Sequence, residues 1–245
     1  MKQYTAVIQV MEENGGFSTL GYLYQNVLKV PGVEWQTKTP YASIRRIVQD
    51  ERFFFKIKPG LWALKSHIKI LPEEVLPVHE IPQNKVQEYD HSYYQGLLVE
   101  IGNIKRYKTF VPHQDRNKPF IGKKLGDVVS EKQFFPFTYN RIVKKAQMID
   151  VSWFNDRDLP YAFFEIEYST DFLNSLIKFS ELQDFRVNYY IVSDIKRRNE
   201  FERKVSLSVF SPINNDIKFV SFDKVSQWHA SVHEVEKIER DIISE

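Results

Sequence analysis

The sequence predicts an α/β (α+β) protein in two parts: a small domain of three helices closed by a β-hairpin, then a larger mixed sheet flanked by helices. Three observations predict it. The first 70 residues hold helical-period segments followed by a Pro-Gly hairpin signal. A proline- and acid-rich stretch, LPEEVLPVHEIPQNKVQEYDH (71–91), then breaks the pattern. After it, apolar runs of strand length alternate with amphipathic helical segments.

The bounds are those of a folded, water-soluble chain. Its 245 residues with 42% hydrophobic and 15% aromatic content can bury a sizeable core and exclude a disordered protein. A net charge of +2 says little about partners; its distribution says more. The absence of cysteine excludes disulfides, cysteine zinc sites and thiol catalysis, and fits a reducing compartment. MKQYTAVIQVMEENGG lacks the apolar core of a signal peptide, and no apolar run reaches about 18 residues. The reading is a cytoplasmic protein.

Helix one spans about Tyr4–Glu13 and is stopped by Asn14-Gly15-Gly16. Helix two takes Ser18 as N-cap, and Leu20, Leu23, Tyr24, Val27 and Leu28 fall on one face. Helix three follows Thr39 as N-cap with Pro40 in its first position, and turns Ile44, Ile47 and Val48 inward. FFFKIKPGLWALK gives two short β runs around Pro59-Gly60. Pro72, Pro77 and Pro82 with interspersed acids make 71–91 a linker, so the domains are expected at 1–70 and 92–245.

Three helices and a hairpin are the order of a winged helix-turn-helix. Ala42, Arg45, Arg46 and Gln49 point away from the apolar face of helix three, where Arg and Gln can reach base edges in a major groove. The wing adds Arg52, Lys56 and Lys58. Ten Lys and Arg stand against five Asp and Glu over 1–70, the excess that phosphate binding needs; a solvated basic helix that docks a protein is the alternative. The segment TKTPYASIRRIVQDERFFFKIKPGLWALK resembles the HARE-HTH winged-helix domains through TPYASIRRIVQ and PGLWAL. That resemblance covers about residues 2–67 and implies binding of double-stranded DNA, with sensitivity to base modification.

In the second part, a helix (Tyr93–Asn103) and a strand (Tyr107–Val111) lead into a basic, aromatic stretch ending at Gln147. Two strands follow, Ala146–Phe154 and Tyr161–Tyr168, joined by NDRDLP. A helix (Asp171–Asp184), a continuous apolar strand (Val187–Ser193), a helix (Lys196–Leu207), a strand (Ile217–Phe222) and a terminal helix complete the chain.

Acidic residues interrupt the two central strands. Asp150 sits between Ile149 and Val151, and Glu165 and Glu167 alternate with Phe164 and Ile166. Residues two apart on a strand share a face, so Glu165 and Glu167 point together, and a tight hairpin brings Asp150 beside them. Three converging carboxylates need a cation, and an all-oxygen ligand set suits Mg²⁺, which activates water and offsets charge on a phosphodiester. An ion-pair network with Lys144, Lys145 or Lys178 is the non-functional alternative. Residues 104–147 carry eleven Lys and Arg against three acids, a field suited to a polyanion; Phe134, Phe135, Phe137 and Tyr139, interleaved there, read as core.

IDVSWF and PYAFFEIEYSTD, followed by an amphipathic helix, resemble the PD-(D/E)xK nuclease superfamily, in particular restriction-endonuclease-like domains preceded by a winged helix. The resemblance covers about residues 92–210. It implies Asp150 and Glu165 as metal ligands, the Ile166 carbonyl as a third, and Glu100 on the preceding helix as the carboxylate for a second metal. The motif lysine is replaced by Glu167, and Lys178 is the candidate for a migrated lysine. His229 and His233 have a zinc-compatible spacing, but Ala230 stands where a metalloprotease helix needs Glu, and no zinc site is expected.

The expectation is therefore a Mg²⁺-dependent DNA endonuclease of restriction type, with one or two ions and catalytic residues Asp150, Glu165, Glu167 and Lys178. Cleavage of both strands would need a homodimer. The alternatives are a DNA-binding regulator carrying a degenerate nuclease fold, argued by the missing lysine, and a protein-interaction module.

Overall fold

The computed structural model describes residues 1–35, 37–77, 79 and 81–243, so positions 78 and 80 of the expected linker lie outside the described residues. The chain forms two compact units, one built from Met1–Pro82 with Ser226–Glu245 and the other from Gln83–Val225.

In the first unit, α1 (Gln3–Glu13) ends where Gly15 and Gly16 take φ of +83° and +89°. That conformation favours glycine, and a Cβ on Gly16 would also lie 2.4 Å from His67 Cβ. The strand β1 (Phe17–Thr19) precedes α2 (Leu20–Asn26), and Thr19, not Ser18, caps α2 by accepting from the Tyr22 amide at 3.2 Å. Both residues are good caps; pairing of Phe17–Thr19 with Leu61–Ala63 decides between them. After α3 (Pro40–Ile47), β2 (Phe54–Lys58) and β3 (Leu61–Leu64) form a hairpin, and the antiparallel sheet runs β1-β3-β2. Its core joins Val7, Met11, Leu23, Tyr24, Ile44 and Phe54 to Ala230, which comes from the last helix of the chain.

The second unit opens with α4 (Gln83–Ile104), which begins inside the stretch read as a linker. Past Pro82 nothing breaks the helix. Tyr89, Tyr93, Leu97 and Ile101 recur at helical spacing and are buried, so packing outweighs the flanking acids. The strand β4 (Lys108–Phe110) and a small hairpin, β5 (Pro119–Phe120) with β6 (Lys123–Lys124), follow. Then come α5 (Leu125–Val128), α6 (Asn140–Ala146), β7 (Val151–Phe154), β8 (Pro160–Glu167), α7 (Leu173–Ser180), β9 (Asn188–Ser193), α8 (Arg198–Val205), β10 (Ile217–Ser221) and α9 (Phe222–Ile243). The helix α9 starts in this unit and passes into the first at Ser226.

The sheet order is β10-β9-β8-β7-β4, with β4, β7 and β8 antiparallel and β8, β9 and β10 parallel. The antiparallel pair is closed by a short turn, whereas α7 and α8 make the crossovers that parallel strands require. One face is packed by aromatics, among them Phe134, Phe154, Phe163, Phe179 and Tyr189. Truncating a residue as buried as Phe163, at 0% exposure, costs about 3–5 kcal/mol. Phe135 and Phe137 pack on the same cluster, but Tyr139 is exposed and not part of the core. Against the other face, α4 lies so close that a Cβ on Gly102 would come 2.7 Å from Trp153 Nε1. Trp153 donates that N–H to the Leu98 carbonyl at 3.1 Å. Among the described residues no helix is long and apolar enough to cross a membrane.

Candidate active site

The register of β7 on β8 sets the first half of the site. Val151 lies opposite Phe164, so Asp150, at the bend just before β7 rather than within it, comes level with the carboxyl end of β8. The Ile166 amide donates to Asp150 Oδ2 at 2.7 Å. Glu165 and Glu167 are 3% and 6% exposed on one face of β8. The Ser175 hydroxyl on α7 lies between them, bonded to Glu165 Oε2 at 2.9 Å and to Glu167 Oε1. Lys178, three residues further along α7, places Nζ 2.8 Å from both Glu165 oxygens and 3.2 Å from the Met148 carbonyl. The Thr170 hydroxyl meets Glu167 Oε2. Arg197 fixes the turn after β8 by donating to the Thr170 carbonyl at 2.6 Å while its guanidinium lies over the Phe172 ring. The structure thus brings Asp150, Glu165, Ile166, Glu167 and Lys178 around one open cleft of about 690 Å³.

The fourth wall of the cleft is α4, and it carries a residue that the sequence reading missed. His91 Nε2 is 3.1 Å from Asp150 Oδ2, and His91 Nδ1 is 3.1 Å from Gln95 Oε1. Gln95 Nε2 donates to Asp115 Oδ2 at 2.8 Å and to the Asp150 carbonyl at 3.0 Å. Both of those partners accept only, which fixes the amide with Oε1 toward the imidazole. Each ring nitrogen of His91 therefore faces an acceptor, the arrangement of an imidazolium on a carboxylate. The signal in the sequence was His91 and Gln95 four apart on one helical face.

The charges follow from this packing. Burial alone would raise Asp150, but the charge and hydrogen bond of His91 outweigh it and hold the carboxyl below its usual range. Burial alone would lower His91, and Asp150 outweighs it and raises the imidazole. At Glu165 burial and the neighbouring Asp150 charge win over Lys178 and Ser175 and push the carboxyl up to about 8. Burial pulls Lys178 down, but its pairing with Glu165 raises it overall. The site accepts one negative charge readily, at Asp150, and resists the next, at Glu165.

Glu100 is not among the described residues that line the cleft. It lies nine residues along α4 from His91, half a turn round the helix, so the helix contributes His91 there instead. In the first unit Arg45 and Arg46 are exposed on α3 while Ile44 is buried; Val48, buried, caps the helix, so Gln49 is exposed in the turn beyond it and not on helix three; Lys56 is exposed on β2. Lys58 is different: at 8% exposure it is buried, because a bulge between Lys56 and Lys58 breaks the strand's alternation. It offers no surface for a phosphate. Arg52 is bound to Asp50 at 2.6 Å, and its hydrogen bonds hold the Asp50 carboxyl at about 2. His229 and His233 are buried on α9 with their Nε2 atoms 3.2 Å apart.

By family, the chain is type II restriction enzyme-like. It belongs to the family described as the Type II restriction enzyme NmeDI C-terminal domain, whose family model matches residues 71–245. It is similar to the Type II restriction enzyme NmeDI of Neisseria meningitidis serogroup C, with 24% identity over 152 residues, or 57% of this chain and 42% of that protein. The chain thus spans less than half the length of that relative. No solved structure matches it.

Proposed function

We propose that the chain is a Mg²⁺-dependent DNA endonuclease of restriction type. The observation that carries this reading is the convergence of Asp150, Glu165 and Glu167 with Lys178 in one cleft, in a member of a type II restriction enzyme family. The donor set fits a hard dication: every candidate ligand is oxygen, two of the carboxylates share the Ser175 hydroxyl, and the chain has no cysteine. Asp150 and Glu165 would hold the ion, with the Ile166 carbonyl as a third ligand. A bound Mg²⁺ supplies positive charge for the attacking water and for the leaving oxygen.

The residues of the chain do the rest. Lys178 takes the place of the motif lysine: it approaches the cleft from α7, orients Glu165 through both oxygens, and brings its positive charge beside the scissile phosphate and the water. Glu167, held by Ser175 and Thr170, is positioned to accept a proton from that water. Lys118, on the cleft wall, adds positive charge for the phosphate backbone. Duplex DNA would be engaged by the first unit acting as a winged helix, with Arg45, Arg46 and Gln49 toward base edges and Lys56 toward phosphates. Sensitivity to base modification would reside in that face. One such site cuts one strand, so cutting both would require two copies of the chain.

A second reading, a DNA-binding regulator, is favoured by Glu167 standing at the motif lysine position. Incubating the protein with methylated and unmethylated plasmid, with Mg²⁺ or with a chelator, separates the two. Metal-dependent nicking or linearisation is expected; intact plasmid in every condition overturns the nuclease reading.

A further inference from the structure

Asp150 Oδ2 is occupied twice, by the Ile166 amide at 2.7 Å and by His91 Nε2 at 3.1 Å. A carboxylate oxygen has two acceptor directions in its plane, so both are spent on the protein. The His91 ring does not hold this position by chance of rotamer. Its other nitrogen is bonded to Gln95, and Gln95 is anchored at 2.8 Å on Asp115 and at 3.0 Å on the carbonyl of Asp150 itself. Asp115, 5% exposed in its side chain, is in turn paired with Lys118 at 2.6 Å. The anchor of the ring is thus the peptide of the residue that it orients, and the chain of bonds closes on itself.

We propose that His91 is a positioning residue that confines Asp150 to a single coordinating oxygen, Oδ1, and thereby sets the preference of the site for Mg²⁺ over Ca²⁺. This rests on the metal reading above. The physical reason is the difference between the ions. Mg²⁺ demands compact octahedral geometry and suits carboxylates that give one oxygen each, whereas Ca²⁺ takes six to eight oxygens and accepts a carboxylate through both. A carboxylate with one oxygen already committed can serve only the first mode. Residues that orient a metal ligand from behind change affinity by about 10–100-fold when lost.

Two near-isosteric variants of the whole chain separate this role from a merely structural one. His91→Asn puts its amide nitrogen where Nδ1 stands, so it can keep Gln95 but cannot reach Asp150. His91→Gln reaches Asp150 with its amide nitrogen. Calorimetric titration with Mg²⁺ and with Ca²⁺, without DNA, reads both affinities, and a thermal melt checks the fold. Removing an imidazole beside the carboxylate alters the field for both dications alike, so the ratio of affinities is the diagnostic. The expected result is a fall of about 10–100-fold in Mg²⁺ affinity for His91→Asn with a smaller change for Ca²⁺, and a ratio near that of the wild type for His91→Gln. An unchanged ratio in His91→Asn, or an equal loss for both ions, overturns the proposal while leaving the metal site standing. Failure of the wild-type chain to bind either ion overturns both.

Discussion

Lys178 Nζ stands 2.8 Å from both carboxylate oxygens of Glu165, and Glu165 has only 3% of its surface exposed. The two residues come from different elements, α7 and β8, so the pair ties helix to sheet at the mouth of the cleft. Its energetic weight lies in what its loss would leave behind: a buried carboxyl beside Asp150, held by Ser175 and no longer by α7's lysine.

Lys178→Met is therefore expected to destabilise the metal-free protein by about 1–3 kcal/mol. The figure stays below the ~3–5 kcal/mol of a fully buried pair because the Lys178 side chain is 31% exposed. Urea denaturation measures it. Adding Glu165→Gln should recover most of the loss, which identifies the buried carboxyl left without its lysine partner as the cause; an unmoved midpoint for Lys178→Met alone would show that the pair adds nothing to stability.

Asp150→Asn and Glu165→Gln should each abolish metal-dependent cleavage and leave DNA affinity within a few-fold of wild type, because the α3 face lies in the other unit. Gel assays of cutting and of binding read the two effects apart. Cleavage surviving in both variants would place the chemistry elsewhere.

Mg²⁺ or Mn²⁺ should raise the melting temperature, since the carboxylates converge only in the folded chain. At an ion concentration one hundred times the dissociation constant the gain is roughly 2.7 kcal/mol. Asp150→Asn should flatten the response. A wild-type melting temperature indifferent to both ions would support the regulator.

For recognition, Arg46→Ala and Gln49→Ala should each reduce discrimination between DNA sites by about 1–3 kcal/mol. Lys56→Ala should instead weaken all duplexes alike and lower the salt dependence by about one unit of slope. Lys58→Ala should act on stability and not on DNA, because that side chain is buried. Binding titrations at two salt concentrations and a thermal melt distinguish these outcomes.

Much of this site was legible because carboxylates inside apolar strands break an otherwise regular pattern, and the period of two then places Glu165 and Glu167 on one face. Lys178 came from the family resemblance, as the candidate for a migrated lysine. His91 was not. It sits on a polar, proline-flanked stretch whose composition argues for an open linker, and only the burial of Tyr89, Tyr93 and Tyr94 against neighbouring elements makes that stretch helical. Lys58 misled because alternation assumes an unbroken ladder, and a bulge reverses it. Glu100 does not line that cleft, because its place on α4 depends on helix rotation, which nothing in local sequence fixes. Phe17–Thr19 escaped notice because a three-residue strand is specified by its partner, not by itself.

The core of the first unit is assembled from both ends of the chain: Ala230 packs with Val7 and Leu23, Ser226 Oγ donates to the Pro59 carbonyl at 2.8 Å, and Gln25 Nε2 donates to Glu236 at 2.9 Å. A ribosome delivers the two halves in order. With synthesis at about 5–20 residues per second, the N-terminal helices wait roughly 7–30 s for the segment that closes them. Through that interval the entire second unit emerges and can fold first. Maturation would then run backwards along the chain, the second unit forming before the first. A stop codon before Ser226 should accordingly release a chain whose residues 83–225 resist protease while residues 1–82 are degraded.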